Sequence, residues 1–184
     1  MEIIKVVVIG PESTGKSALC RILAEHYQTD WVPEYARDYL LTNGKEYTYD
    51  SLDVIAKGQI TKEEKHIETL KQKNKSNLIF IDTDLYVMKI WSEFVFNRCN
   101  NQILNGIVHR KYDLYLLCEP DIPWVEDELR EYPDVETRLR LYHHYKDSMV
   151  QQHVPWVNIC GDYENRVNQA IMAVEELLKL KNRR

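Results

Sequence analysis

Eight consecutive residues, Gly10-Pro11-Glu12-Ser13-Thr14-Gly15-Lys16-Ser17, place two glycines, a lysine and a hydroxyl at the spacing G-x-x-x-x-G-K-[ST]. Each residue type has a physical task. The glycines permit backbone angles and close approach that a side chain would block. Consecutive N–H groups can then turn inward and cradle phosphate oxygens, and the positive end of a following helix adds to the attraction. Lys16 is placed to reach the β- and γ-phosphates of a nucleoside triphosphate, and Ser17 to offer its hydroxyl to a magnesium ion. The nucleotide-contacting set is read as Gly10, Glu12, Ser13, Thr14, Gly15, Lys16, Ser17 and Ala18, with ATP and Mg2+ as the cofactors implied.

A second acidic element is Leu78-Ile79-Phe80-Ile81-Asp82-Thr83-Asp84, four apolar residues followed by two aspartates. An aspartate at the carboxyl end of a strand beside the phosphate loop can hold a metal-bound water, which makes Asp82 the metal candidate with Ser17. Asp84 is near enough to face an acceptor, although an acid just before an apolar run also fits a helix cap. Pro33-Glu34-Tyr35-Ala36-Arg37-Asp38-Tyr39 supplies another carboxylate, a cation and aromatic rings. Glu34 could take a proton from an acceptor hydroxyl, Arg37 could meet phosphate or substrate oxygen, and Tyr35 could stack on a flat ring. The same residues also suit an ordinary surface helix start.

Arg130, Arg138 and Arg140 lie in a stretch, about residues 121–150, that reads as a helical lid. A lid carrying arginines supplies positive charge to a migrating phosphoryl group and excludes water, and Arg130 is taken as catalytic with Lys16. Trp124 lies in the same stretch and is assigned to the acceptor. Gly161-Asp162-Tyr163 follows an apolar strand. Tyr163 and Arg166 are placed to flank a nucleotide base, with Asp162 as a helix cap.

These groups need elements to hold them. Ile3–Ile9 is a β-branched run ending at Gly10 and reads as a central strand. Lys16–Tyr27 follows as a helix, and Trp31-Val32 as a short strand stopped by Pro33. A helix starts near Tyr35, a long charged helix runs from about Ser51 to Lys75, and Leu78–Ile81 is a second buried strand. Leu85–Phe96 is helical and Asp113–Cys118 is a strand. Trp124–Val150 reads as helix in two pieces broken near Pro133. Val154–Cys160 is the last strand, and Asn165–Leu180 is a closing amphipathic helix. Alternating strands and helices give one α/β domain over residues 1–184, a three-layer sandwich around a mainly parallel sheet.

Composition fits this reading: 184 residues, 44% hydrophobic and 29% charged, with net charge −5. The negative balance argues against nucleic acid as the main partner. No apolar run approaches a membrane span, and a cytoplasmic location is expected. Cys20, Cys99, Cys118 and Cys160 form no C-x-x-C pair and read as free thiols rather than zinc ligands.

Taken together, the chain resembles the ribosylnicotinamide kinase domain of the NadR type, within the P-loop nucleoside kinase-like, AAA-type ATP-binding proteins. The resemblance rests on Gly10–Ser17, Glu34-Tyr35-x-Arg37, Gly58-Gln59, Phe80–Asp84, Trp124–Asp127 with Leu129-Arg130, and Tyr163 with Arg166 before Asn168-Gln169. It implies a nucleoside/nucleotide kinase-like P-loop fold and transfer of the ATP γ-phosphoryl group to the 5′-hydroxyl of nicotinamide riboside, a small-molecule partner. It leaves open whether Glu34 or Asp84 handles the hydroxyl proton. Family members often carry a nucleotidyltransferase domain ahead of this one. This chain begins at the first strand and has no H-x-G-H-like element, so an adenylyl-transfer step is not expected of it. The alternatives are a kinase for another nucleoside or small metabolite, and an ATP-hydrolysing switch without an acceptor. No N-K-x-D element is present to select guanine.

Overall fold

The computed structural model describes residues 2–183. The first strand, β1 (Ile4–Ile9), runs through the middle of the molecule, with Val6 to Ile9 wholly shielded from water. Such a run of apolar residues marks a strand covered on both faces. β1 lies between β3 (Leu78–Asp82) and β4 (Leu114–Cys118), with β2 (Trp31–Val32) and β5 (Trp156–Ile159) at the edges. The order is β2-β3-β1-β4-β5 and every pairing is parallel.

Side chains alternate across the sheet as strand geometry requires. Val7 and Ile9 enter one core, and Ile4, Val6 and Val8 the other. On the second face lie α1 (Lys16–His26) and α7 (Tyr163–Lys181), packed through Leu19, Leu23, Val174 and Leu177. On the first lie α3 (Tyr49–Lys73), α4 (Leu85–Phe96), α5 (Asn101–His109) and α6 (Val135–Gln151), with α2 (Tyr35–Asn43) packed beside them through Tyr35 and Tyr39. The three-layer α/β arrangement expected from the sequence is the one observed.

Local signals explain most boundaries. Thr48 and Ser51 form a reciprocal cap at the start of α3. Asp134 caps α6 through the Thr137 N–H at 2.7 Å, and Asp162 caps α7 through the Asn165 N–H at 2.9 Å. Helix α5 was not anticipated. It is short, buries only Ile103 fully, and follows an Asn-Arg-Cys-Asn-Asn run that reads as a turn.

The region expected to be helical from Trp124 onward needs correction. Helix forms only at Val135–Gln151, and residues 121–134 are an irregular strap. The physical reason is that the strap's N–H groups find partners outside a helix. The N–H of Val125 donates to the Ser13 hydroxyl at 3.0 Å, and those of Glu131 and Tyr132 donate to the Glu12 carboxylate. Among the described residues, no helix is long and apolar enough to cross a membrane.

Candidate active site

The site forms where the strands end. β1 delivers the chain into the loop at Gly10, whose φ is 139° and whose missing Cβ would lie 2.5 Å from the Cys118 carbonyl oxygen. Only glycine lets the loop start this close to β4. The loop closes at Gly15, a left-handed residue that caps α1 without a side-chain bond. The first N–H groups of α1 therefore have no side-chain acceptor and are open to an anion. Lys16 folds over the loop, its Nζ donating to the Pro11 carbonyl at 2.8 Å. Ser17 is exposed at the helix start.

Beneath Lys16 lies Asp82, at the last position of β3 and 1% exposed. Neither of its carboxylate oxygens has a well-formed hydrogen bond among the described residues, although the Ser17 hydroxyl is near enough to favour the charged form. Burial pushes its pKa up to about 7, the Glu34 carboxylate pushes in the same direction, and Lys16 opposes them. Lys16, Glu34 and Asp82 thus form one electrostatic cluster.

Asp84 sits elsewhere than on a substrate-facing wall. It is 2% exposed and caps α4, accepting the Tyr86 N–H at 2.9 Å through one oxygen and the Tyr115 hydroxyl at 2.7 Å through the other. Burial raises its pKa to about 7 despite those bonds.

A cavity of about 460 Å³ opens from the phosphate loop. This is within the size range of small-molecule sites. All of Gly10 to Ala18 line it, including Glu12, Ser13 and Thr14. Glu34 and Arg37 border it from α2, Leu52 and Ile55 from α3, and Val87, Met88 and Trp91 from α4. Tyr47, Tyr145 and Tyr163 add aromatic walls, and Ile122, Val125, Leu129 and Arg130 come from the strap. Part of the lining is apolar and aromatic. There the Trp91 indole N–H donates to the Tyr47 hydroxyl at 2.8 Å, and the Tyr132 ring meets Trp91 edge-on at 5.6 Å between centroids.

Of the residues singled out in the sequence, the phosphate loop, Glu34, Arg37, Arg130 and Tyr163 come together on this cavity. Tyr35, Asp82, Asp84, Trp124 and Arg166 do not line it. Tyr35 packs beside Gly58 of α3, and Trp124 lies against the guanidinium groups of Arg130 and Arg138, 5.8 and 5.5 Å from its ring centroid. Arg37 forms a two-pronged pair with Asp127, both N–O distances being 3.0 Å, which ties the strap to α2. Its guanidinium holds the Asp127 carboxyl below the usual range. Arg140 lies over the Phe94 ring on the far side of α6.

Arg166 is 4% exposed. Its guanidinium donates to the carbonyls of Gly161 at 2.8 Å, Thr14 at 3.1 Å and Glu119 at 2.9 Å, and also pairs with Asp121. It braces the phosphate loop from behind.

Sequence reasoning missed Tyr47, Val87, Met88, Trp91 and Tyr145. Val87, Met88 and Trp91 share a helix face at ordinary core spacing, and nothing local separates a cavity wall from a packed core.

Comparisons with known proteins agree with this geometry. The chain is 28% identical over 179 residues to the trifunctional NAD biosynthesis/regulator protein NadR of Salmonella typhimurium, covering 94% of this chain and 42% of that protein. It thus spans less than half the length of that relative. The crystal structure of a NadR protein in complex with NR superposes with a TM-score of 0.77 at 23% identity, covering 95% of this chain and 49% of that one. Thymidylate kinase from Ehrlichia chaffeensis superposes with a TM-score of 0.62 at 13% identity, covering 97% of this chain and all of that one. The fold is that of P-loop kinases. Residues 5–166 match the family model described as AAA domain, and the chain belongs to that family.

Proposed function

We propose that this protein is an ATP- and magnesium-dependent kinase that phosphorylates the 5′-hydroxyl of nicotinamide riboside. The observation that carries the proposal is the single cavity in which a phosphate loop and an aromatic, apolar chamber meet at Glu34. A nucleotide-hydrolysing switch needs the first half only; a kinase needs both. The NadR protein solved with NR supports the choice of nicotinamide riboside.

The reaction follows from the side chains. Loop N–H groups and Lys16 bind the triphosphate and stabilise charge gathering on the γ-phosphoryl oxygens. The aromatic chamber holds the acceptor base and leaves its ribose toward Glu34. Glu34 lines the cavity and spends no side-chain bond on capping its own helix, so we assign it the hydroxyl proton. Asp84, with both oxygens engaged, keeps the start of α4 in place. The acceptor oxygen attacks the γ-phosphorus, the bond to the bridging oxygen breaks, and ADP leaves. Arg130, which lines the cavity, adds positive charge to the transferring group.

Ser17 and Asp82 are the residues that would hold magnesium. A buried carboxylate whose oxygens lack a well-formed hydrogen bond fits a cation or its bound water. Magnesium, when bound, neutralises charge on the phosphate oxygens. The four free cysteines fit a reducing compartment, the cytoplasm.

The test is ATP consumption with magnesium against a panel of nucleosides, with Lys16→Ala as control. Selective turnover with nicotinamide riboside is expected. Turnover with another nucleoside would discard the acceptor and keep the reaction. Acceptor-independent hydrolysis alone would overturn the kinase reading.

A further inference from the structure

Gly58 and Gln59 lie in the middle of α3, and neither lines the cavity. Gln59 is 4% exposed and its amide is used at both ends. Its Oε1 accepts the Tyr35 N–H at 2.7 Å. Its Nε2 donates to the Thr83 carbonyl at 3.2 Å and lies 3.4 Å from the Asp82 carbonyl.

The Tyr35 N–H belongs to the first turn of α2, where helix donors lack partners. The residue ahead of it, Glu34, is the N-cap but makes no side-chain cap bond. Gln59 supplies the acceptor for this N1 donor, which an N-cap side chain, reaching N2 or N3, does not serve. Glu34, carried by the turn that this bond fixes, lines the cavity. At the other end, Thr83 has a φ of 68°, an unfavourable angle for a β-branched residue. The Gln59 amide holds the carbonyl of this strained residue, next to Asp82.

Gly58 provides the steric half of the arrangement. A Cβ there would lie 2.0 Å from the Tyr35 ring. Any side chain at this position would displace the Tyr35 ring from its place on α3, at the turn that carries Glu34.

We infer that Gly58 and Gln59 are a positioning pair that fixes the Glu34 carboxylate against the Asp82 end of β3. A side-chain amide suits the task because it both accepts and donates, which a carboxylate or a thioether of the same length does not. The inference rests on the kinase reading, which gives Glu34 its task.

The test compares Gln59→Met and Gly58→Ala with the parent protein. It reads kcat, the acceptor KM, the dissociation constant of a non-hydrolysable ATP analogue, and hydrogen exchange at the Tyr35 amide. In both variants kcat should fall about tenfold or more, while analogue binding stays within about twofold. Exchange at Tyr35 should quicken by about tenfold in Gln59→Met. A residue that merely packs would not separate turnover from nucleotide binding in this way. Parental kcat in both variants, or nucleotide affinity lost in step with kcat, would overturn the inference. Should Gln59→Met fail to fold, Gly58→Ala decides by the same split. If the parent itself shows no acceptor-dependent turnover, the kinase reading falls. The positioning role is then judged from Tyr35 exchange and basal ATP hydrolysis, and unchanged values in the variants would refute it.

Discussion

The carboxylate of Glu12 accepts the backbone N–H of Glu131 through both oxygens, at 3.0 and 3.1 Å. One of those oxygens also accepts the Tyr132 N–H at 2.5 Å. A carboxylate inside a phosphate loop is electrostatically awkward, and here its oxygens are spent on holding the strap. Charge-assisted bonds of this kind are stronger than neutral ones. Glu12→Ala should therefore speed hydrogen exchange at the Glu131 and Tyr132 amides by about tenfold. Unchanged protection there would mean the strap is held by Arg37 and Asp127 instead.

Lys16→Ala should lower acceptor-dependent kcat by about a hundredfold or more, since removing one preorganised charge-stabilising donor has effects of that order. Thermal stability should fall modestly, because Lys16 bonds the Pro11 carbonyl and its charge offsets the buried Asp82 carboxylate. Near-parental kcat would remove Lys16 from the reaction.

Asp82→Asn should act in opposite directions on stability and activity. Burial, reinforced by Glu34, raises the Asp82 pKa from 3.8 to about 7. Between these values the folded state binds more protons than the unfolded one, so ligand-free stability falls as pH rises through that window. The substitution removes this group's share of the fall, and at pH 8 the ligand-free variant should be more stable than the parent, by about 1 kcal/mol or more. Asp84, also raised to about 7, keeps part of the slope. Melting temperatures across pH check the first effect. A magnesium titration of activity checks the second: the variant should need more of the ion.

Arg166→Leu should cost about 2–4 kcal/mol in urea unfolding, because it removes the donor to three carbonyls, that of buried Thr14 among them, and takes the cation from Asp121, which keeps only the Gly161 N–H. The lost brace on Thr14 should also weaken ATP binding. Intact ATP affinity in a folded variant would limit Arg166 to a stabilising role.

Trp91→Ala should raise the acceptor KM by about tenfold and leave the KM for ATP unchanged, as expected of an aromatic wall that lies outside the phosphate loop. Equal loss for both substrates would place Trp91 in general packing.

What could be read from the sequence was local. Gly10 to Ser17 fixes its own conformation and its chemistry, so the loop and its flanking strand and helix were legible. Asp82 was legible because a buried strand ending in an acid is a short-range pattern. The strap was not. Its N–H groups are satisfied by Glu12 and Ser13, more than a hundred residues away, and no helical period reveals such partners. Arg166 was expected beside the nucleotide base; its guanidinium is instead spent on carbonyls from three separated segments, which only folding brings together. The aromatic chamber was hidden for the same reason: Tyr47, Trp91 and Tyr145 lie far apart in the chain and each looks like ordinary core.

The strand order has one more consequence. β1 stands in the middle, with β3 and β2 to one side and β4 and β5 to the other. The segments after β2 and β3 carry Glu34, Met88 and Trp91, whereas those after β4 and β5 carry Ile122 and Tyr163. On the proposed kinase reading, substitutions confined largely to residues 33–96 would reshape the acceptor chamber and leave the phosphate loop itself untouched.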